Sequence, residues 1–292
     1  MNFIKLEALG NDYVYVNAEE VKGCDLVKLA RKVSNRRFGV GSDGLIIVQK
    51  LTNSTITMTM FNADGSEGAM CGNGVRGAVF FALKNLGLAT KTVKVITKSR
   101  EVIVNAHFDN LSDVSRFTTI RATADMGKVK SSINPSIIAE ELAKVGLYVD
   151  KRQVLHVDVG NPHLVFFEPN YPLSTICLAV IRSGLFPDGV NVERVYKIKN
   201  ISENQSKLFM EVSERGTGKT LSCGSGAVAS AYAFSVYSYR PLDGNLNVDV
   251  TTEGGTLNVT FEGCKAFLTG EVNEVFEGVF NHSEFMVSSN EI

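Results

Sequence analysis

The chain has 292 residues, 44% of them hydrophobic and 21% charged, with a formal net charge of −1. That length allows two domains of ordinary size, each able to bury a core. The near-neutral charge argues against nucleic acid or an anionic membrane as a partner, and no apolar run reaches the roughly 18 residues that a bilayer span needs.

Taken in chain order, the N-terminus (Met1 to Glu7) lacks the basic start and apolar core of a secretory leader and reads as an opening strand. A polar helix is expected near 25–35. Short β-rich runs at 56–61, 92–96, 101–106 and 117–122 surround a helix near 72–86. Polar residues then gather (Lys128, Lys130, Ser131, Ser132, Asn134) ahead of Pro135, which marks a boundary near 119–135. The second half carries a polar helix near 136–145 and strands near 153–158, 163–167, 190–197, 207–213, 246–251 and 256–261, around a helix near 224–238. Both central helices are apolar almost all round, as in Val79-Phe80-Phe81-Ala82-Leu83 and Ala227-Val228-Ala229. A helix without a polar face must be enclosed on most sides, so each is expected inside its own sheet. The charges at Glu193, Arg194, Lys197 and Lys199 read as a solvated strand face.

Five cysteines stand at 24, 71, 177, 223 and 264 with no Cys-x-x-Cys among them. This argues against a disulfide framework or a structural zinc site and fits a reducing, cytoplasmic compartment. Cys24, Cys177 and Cys264 have apolar neighbours and read as packing residues. Cys71 and Cys223 differ. Each directly precedes a Gly-x-Gly and an apolar helix, in Ala69-Met-Cys-Gly-Asn-Gly and Leu221-Ser-Cys-Gly-Ser-Gly. A thiol at a helix N-terminus has its thiolate stabilised by free N–H groups and the helix dipole.

The two motifs lie 152 positions apart, and other landmarks recur in the same order. Gly10-Asn11-Asp12 leads into a hydrophobic run, as does Gly160-Asn161-Pro162-His163. Asp43-Gly44 precedes Leu45-Ile46-Ile47-Val48, and Asp188-Gly189 precedes Val190-Asn191-Val192. Repeated order implies two duplicated domains related by a pseudo-twofold. Two matched thiols suit an inversion at carbon. One, as thiolate, takes a proton from one face while the other, as thiol, returns one to the opposite face. Helix-end N–H groups at Gly72-Asn73 and Gly224-Ser225 would stabilise the charge that develops on a neighbouring carboxylate.

These residues resemble the diaminopimelate epimerase family nearly end to end. The resemblance rests on Gly10-Asn11-Asp12, Phe61-Asn62-Ala63-Asp64-Gly65-Ser66, Met70-Cys71-Gly72-Asn73-Gly74, Gly160-Asn161-Pro162-His163, Asn191-Val192-Glu193, Glu214-Arg215-Gly216 and Cys223-Gly224-Ser225-Gly226. It implies Cys71 and Cys223 as the acid/base thiols and Gly72, Asn73, Gly224 and Ser225 as binders of the reacting carboxylate. It implies Asn11, Asn62, Asn161, Asn191, Glu214 and Arg215 as holders of the amino and carboxylate groups, with His163 and Glu214 near the thiols. The implied fold is α/β of the α+β type, in two domains. Each is a mixed, barrel-like sheet around a central helix, with the active site in the interdomain cleft. The first domain would span 1–118 with a returning strand at 275–292, and the second 119–274. No cofactor and no metal are expected. The expected partner is a small amino-acid substrate, without nucleic acid or membrane, and a homodimer is compatible with the reading.

Departures from the family pattern bear on the substrate. Lys219 stands where a glutamate is common, and Gly44 where some members carry a substrate-contacting glutamine. Gly77 and Val228 replace cysteines often seen after the two motifs and are expected to be neutral packing changes. Two other readings stay open: a racemase of the same fold acting on another amino acid such as histidine, and a thiol redox or metal-binding protein.

Overall fold

The computed structural model describes residues 1–68, 70–242 and 246–286. Ala69, the first residue of one cysteine motif, and 287–292, the end of the expected returning segment, lie outside the described residues. The chain divides into two compact units, Met1–Ala124 with Gly270–Ile292, and Asp125–Thr269.

In the first unit, β1 (Asn2–Ala8) and β2 (Asn11–Asn17) form an antiparallel hairpin. Helix α1 (Leu26–Ser34) follows, its N-terminus capped by Asp25, which accepts from the Lys28 N–H at 3.1 Å. Strand β3 (Gly44–Lys50) returns parallel to β2, and β4 (Thr55–Asn62) runs back against β3. In β4 Ile56, Met58 and Met60 are buried while the threonines between them are half-buried, the period-2 pattern of a one-sided strand. A short β5 (Glu67–Gly68) lies on β4 and leads to α2 (Gly72–Asn85). Strand β6 (Thr92–Ile96) is parallel to β4, and β7 (Glu101–His107) and β8 (Thr119–Lys128) continue antiparallel.

The second unit repeats this order. Helix α3 (Pro135–Lys144), with Asn134 as cap and Pro135 in its first turn, precedes the antiparallel pair β9 (Val154–Asp158) and β10 (Pro162–Phe167). Then come α4 (Leu173–Ser183), β11 (Asn191–Asn200) parallel to β10, and β12 (Gln205–Glu214) antiparallel to β11. A short β13 (Gly218–Thr220) on β12 leads to α5 (Gly224–Tyr237). Strand β14 (Asn247–Thr252) is parallel to β12, and β15 (Gly255–Glu262) and β16 (Lys265–Val279) complete the set. Helix α4 sits where α1 does in the first unit, although its β-branched residues (Thr175, Ile176, Val180, Ile181) give no strong helix signal. Gly184 ends it in the left-handed region at φ 67°.

Each sheet closes on itself. In the first unit β16 pairs with β1, and the Glu274 N–H donates to the Thr118 carbonyl at 2.7 Å. In the second, the Val129 N–H donates to the Cys264 carbonyl at 2.8 Å, and Lys130 bridges to Asp158 beside β9. Closure into a barrel-like ring of 8 strands removes the exposed sheet edges. The division between the units falls inside β8 and β16, at 124/125 and 269/270. The reason is that each of these strands begins in the sheet of one unit and ends in that of the other.

Helix α2 packs against β1, β2, β3, β4, β6 and β7, and α5 against β9, β10, β11, β14 and β15. Every residue of α2 from Gly72 to Leu83 is buried. Among the described residues, no helix is long and apolar enough to cross a membrane.

Candidate active site

The first unit places Cys71 as the N-cap of α2, where its sulfur accepts from the Gly74 N–H at 3.4 Å. Gly72 and Asn73 occupy the opening turn, whose N–H groups have no intrahelical acceptor. Asn11 reaches Cys71 from the start of β2. Its Oδ1 lies 3.5 Å from Sγ, while its Nδ2 donates to Asp43 Oδ2 at 2.7 Å. Tyr13, two residues along β2, hydrogen-bonds toward Asn11 and Cys71. Burial, and then the proximity of the ionisable Cys71, push its phenol well above the ordinary range, so it remains a neutral donor. Asn62, at the end of β4, donates to Ser66 Oγ at 3.0 Å.

One residue here escaped the sequence reading. Arg76 is 0% exposed within α2. It donates to the Gly72 carbonyl at 3.2 Å and to Asn73 Oδ1 at 2.9 Å, and its Nε has no partner. Burial lowers its pKa to about 10, with the charges of Cys71 and Tyr15 opposing that fall. The signal available in the sequence was a cation in the middle of an apolar stretch, five residues after the cysteine and well before the Lys84 of the last turn.

The second unit builds its counterpart differently. Cys223 caps α5 and accepts from the Gly226 N–H at 3.4 Å, with Ser225 Oγ also 3.4 Å from the sulfur. Asn161 Nδ2 donates to Ser225 Oγ at 3.4 Å, and Asn161 Oδ1 accepts from His163 Nε2 at 3.1 Å. His163 Nδ1 then meets Glu193 Oε1 at 2.7 Å. Burial, followed by the charges of Glu214 and Glu193, raises the Cys223 thiol well above its ordinary value, against the pull of Ser225 and the Gly226 N–H. Glu214 accepts from Thr220 Oγ1 at 2.6 Å. Asn191 Oδ1 accepts from the Arg215 N–H at 2.8 Å, and the Arg215 guanidinium reaches the Asp188 carbonyl at 3.2 Å across Gly189.

Three expectations change. Glu193 is not on a solvated face: it is 0% exposed, because that side of β11 points at the first turn of α5. A Cβ on Gly226 would lie 2.6 Å from Glu193 Oε1, which explains the glycine. The counterpart of Gly44 is Asn191 and not Gly189, since Gly44 pairs with Tyr13 on β2 and Asn191 with His163 on β10. Gly44 itself leaves no room for a side chain, because a Cβ would lie 2.1 Å from the Phe61 carbonyl oxygen. Nor is Gly77 a neutral packing change: a Cβ there would lie 2.1 Å from the Tyr15 hydroxyl. Lys219 is half exposed and pairs with Glu253 at 2.6 Å.

Among the described residues, no group of three or more His, Cys, Asp or Glu is arranged to hold a metal ion. By its sequence relatives the chain is an isomerase of the epimerase class. The sequence model described as diaminopimelate epimerase matches residues 3–130 and 155–275, and the chain belongs to that family. A diaminopimelate epimerase of Moorella thermoacetica is 34% identical over 96% of this chain and 99% of its own length. One from a Geobacillus species is 34% identical over 96% of this chain and 98% of its own. In fold, the chain is similar to a phenazine biosynthesis protein of the PhzF family from Bacillus anthracis, with a TM-score of 0.68 at 16% identity, covering 96% of this chain and 99% of that one.

Proposed function

We propose that the chain interconverts LL- and meso-2,6-diaminopimelate by inverting one α-carbon, in the cytoplasm, on the route to lysine and peptidoglycan precursors. One cysteine of the pair Cys71 and Cys223, as thiolate, removes the α-proton. The other, as thiol, delivers a proton to the opposite face, and the carbanion between them is held by the substrate's own carboxylate. The N–H groups of Gly72-Asn73 and Gly224-Ser225 hydrogen-bond that carboxylate and gain strength as its charge grows. Arg215 suits a distal carboxylate, since a guanidinium binds it through two parallel hydrogen bonds. Glu214, Asn11, Asn62, Asn161 and Asn191 supply acceptors and amides for the ammonium groups. His163 orients Asn161, and through it Ser225.

The observation that carries this reading is the equal placement of the two thiols. Each caps the enclosed helix of its unit and accepts the N–H three residues on at 3.4 Å. A reversible inversion needs two bases of like chemistry, because the forward and reverse reactions exchange their roles. The relatives' names supply the substrate. The test is turnover of LL-diaminopimelate in heavy water without added cofactor, followed by chiral analysis and mass spectrometry. Meso product carrying one deuterium at the inverted carbon is expected. Inversion without solvent deuterium, or inversion of a different amino acid only, overturns the reading.

A further inference from the structure

The two units share strand order and helix placement but differ in the buried ionisable group beside each thiol, an arginine in the first and a carboxyl paired with His163 in the second. Beneath the first turn of α2 lies Ile46, whose Cδ1 is 2.9 Å from the position a Cβ would take on Gly74. The equivalent place beneath α5 is filled by Glu193. One turn further on, α2 carries Arg76 where α5 carries Val228. An acid has been placed beside Cys223 and a cation beside Cys71.

A guanidinium taken wholly out of water needs a counter-charge. Among the described residues no carboxylate forms an ion pair with Arg76, and its hydrogen bonds go to two neutral oxygens, Gly72 O and Asn73 Oδ1. The negative groups that act on it are Cys71 and Tyr15. Tyr15 donates its hydroxyl to the Gly74 carbonyl at 3.3 Å, and burial keeps its phenol neutral. That leaves the sulfur.

We propose that Arg76 is the buried counter-ion of Cys71, so that Cys71 rests as the thiolate and Cys223 as the thiol. The groups that α2 and β2 turn toward Cys71 bear on this. Helix α2 presents the Gly74 N–H and the Arg76 cation, and β2 presents the neutral Tyr13 phenol, all of which favour the anion. Asn11 Oδ1 at 3.5 Å favours the thiol, through one long contact. Around Cys223, β12 and β11 present Glu214 and Glu193, which disfavour an anion, against Ser225 and one N–H. Arg76 touches no substrate in this scheme. It is a positioning residue acting through the charge on Cys71, and Asn73 Oδ1 fixes its direction. The assignment rests on the two-thiol reading above and adds its resting direction: the first proton removed goes to Cys71.

The test is alkylation of the full-length, substrate-free protein by iodoacetamide across pH, read cysteine by cysteine by peptide mass spectrometry. Exposed Cys264 serves as the internal reference. The Cys71 midpoint is expected about one pH unit or more below that of Cys264, with Cys223 last. Arg76→Met should raise the Cys71 midpoint by about one unit, a roughly tenfold slower reaction near neutrality, and Arg76→Lys should restore most of it. A Cys71 midpoint at or above that of Cys264 in the unmodified protein overturns the proposal, even if Arg76→Met fails to fold. So does a folded Arg76→Met protein with an unmoved midpoint, which would make the arginine only a packing residue. Because alkylation needs no substrate, failure of the epimerase assay leaves this result readable.

Discussion

His163 Nδ1 stands 2.7 Å from Glu193 Oε1 with neither side chain exposed to solvent, and the imidazole's other nitrogen holds Asn161 at 3.1 Å. The pair is hydrogen-bonded at one end and anchors a chain of contacts at the other, through Asn161 and Ser225 to the sulfur of Cys223. Removing one member leaves the other uncompensated. Glu193→Ala is therefore expected to cost about 3–5 kcal/mol of stability, because breaking a buried pair strands its partner. A fall of roughly 10 °C in Tm by calorimetry would match that cost, and a melting temperature within a degree or two of the unmodified protein would refute it.

The thiols themselves give the next expectation. Cys71→Ala and Cys223→Ala should each lower kcat for inversion by about 10²–10⁴-fold or more, the usual contribution of a positioned acid or base. Each should leave the fold intact by circular dichroism. A variant that inverts its substrate at the full rate would remove that cysteine from the reaction.

Asp12 controls behaviour in acid. Its carboxylate meets Lys5 at 2.7 Å and Arg36 at 2.7 Å. Burial alone would raise its pKa, but the hydrogen bonds and charges of Arg36 and Lys5 outweigh that and hold it below the ordinary carboxylate value. A carboxylate depressed on folding stabilises the folded state above its unfolded pKa, and that stability is lost as pH falls through the folded value. The urea midpoint of Asp12→Asn should therefore lie below that of the parent at pH 7, with the gap closing below about pH 4. A gap that stays constant from pH 7 to pH 3 would exclude this linkage.

Gly77 and Tyr15 are expected to be coupled. Gly77→Ala should destabilise by about 1–3 kcal/mol, since its methyl would overlap the Tyr15 ring. Tyr15→Leu in the same chain should recover part of the loss, and a double-mutant cycle should give an interaction of at least about 0.5 kcal/mol. Simple additivity of the two changes would show that the ring is not what excludes the methyl.

Lys219 should matter little to the chemistry. It faces Glu253 and Glu211 on a partly exposed surface. Exposed pairs of this kind are screened by water and contribute little. Lys219→Glu is expected to keep kcat/KM within about threefold, since a 1.4 kcal/mol change would be needed for tenfold. A larger loss, or a changed substrate order in a panel of amino acids, would give Lys219 a part in recognition.

Local signals carried the parts of this protein that depend on neighbours in sequence. A cysteine ahead of Gly-x-Gly and an apolar run marks a helix start, because capping is decided within one turn. The duplication was legible for a related reason: turn residues such as Gly10-Asn11 and Gly160-Asn161 punctuate both halves in the same order. Charge at buried positions was not legible. Glu193 reads as one more polar residue on a strand with Arg194, Lys197 and Lys199, and Arg76 as one of two cations in a helix that also carries Lys84. Which face of β11 turns inward, and what surrounds the first turns of α2 and α5, depends on sheet closure between strands more than a hundred residues apart. Desolvation acts only once that closure is complete. The sequence alone thus determined that there are two matched thiols, whereas tertiary burial decided that an arginine is enclosed in the helix of one and a carboxyl paired with His163 beneath the helix of the other.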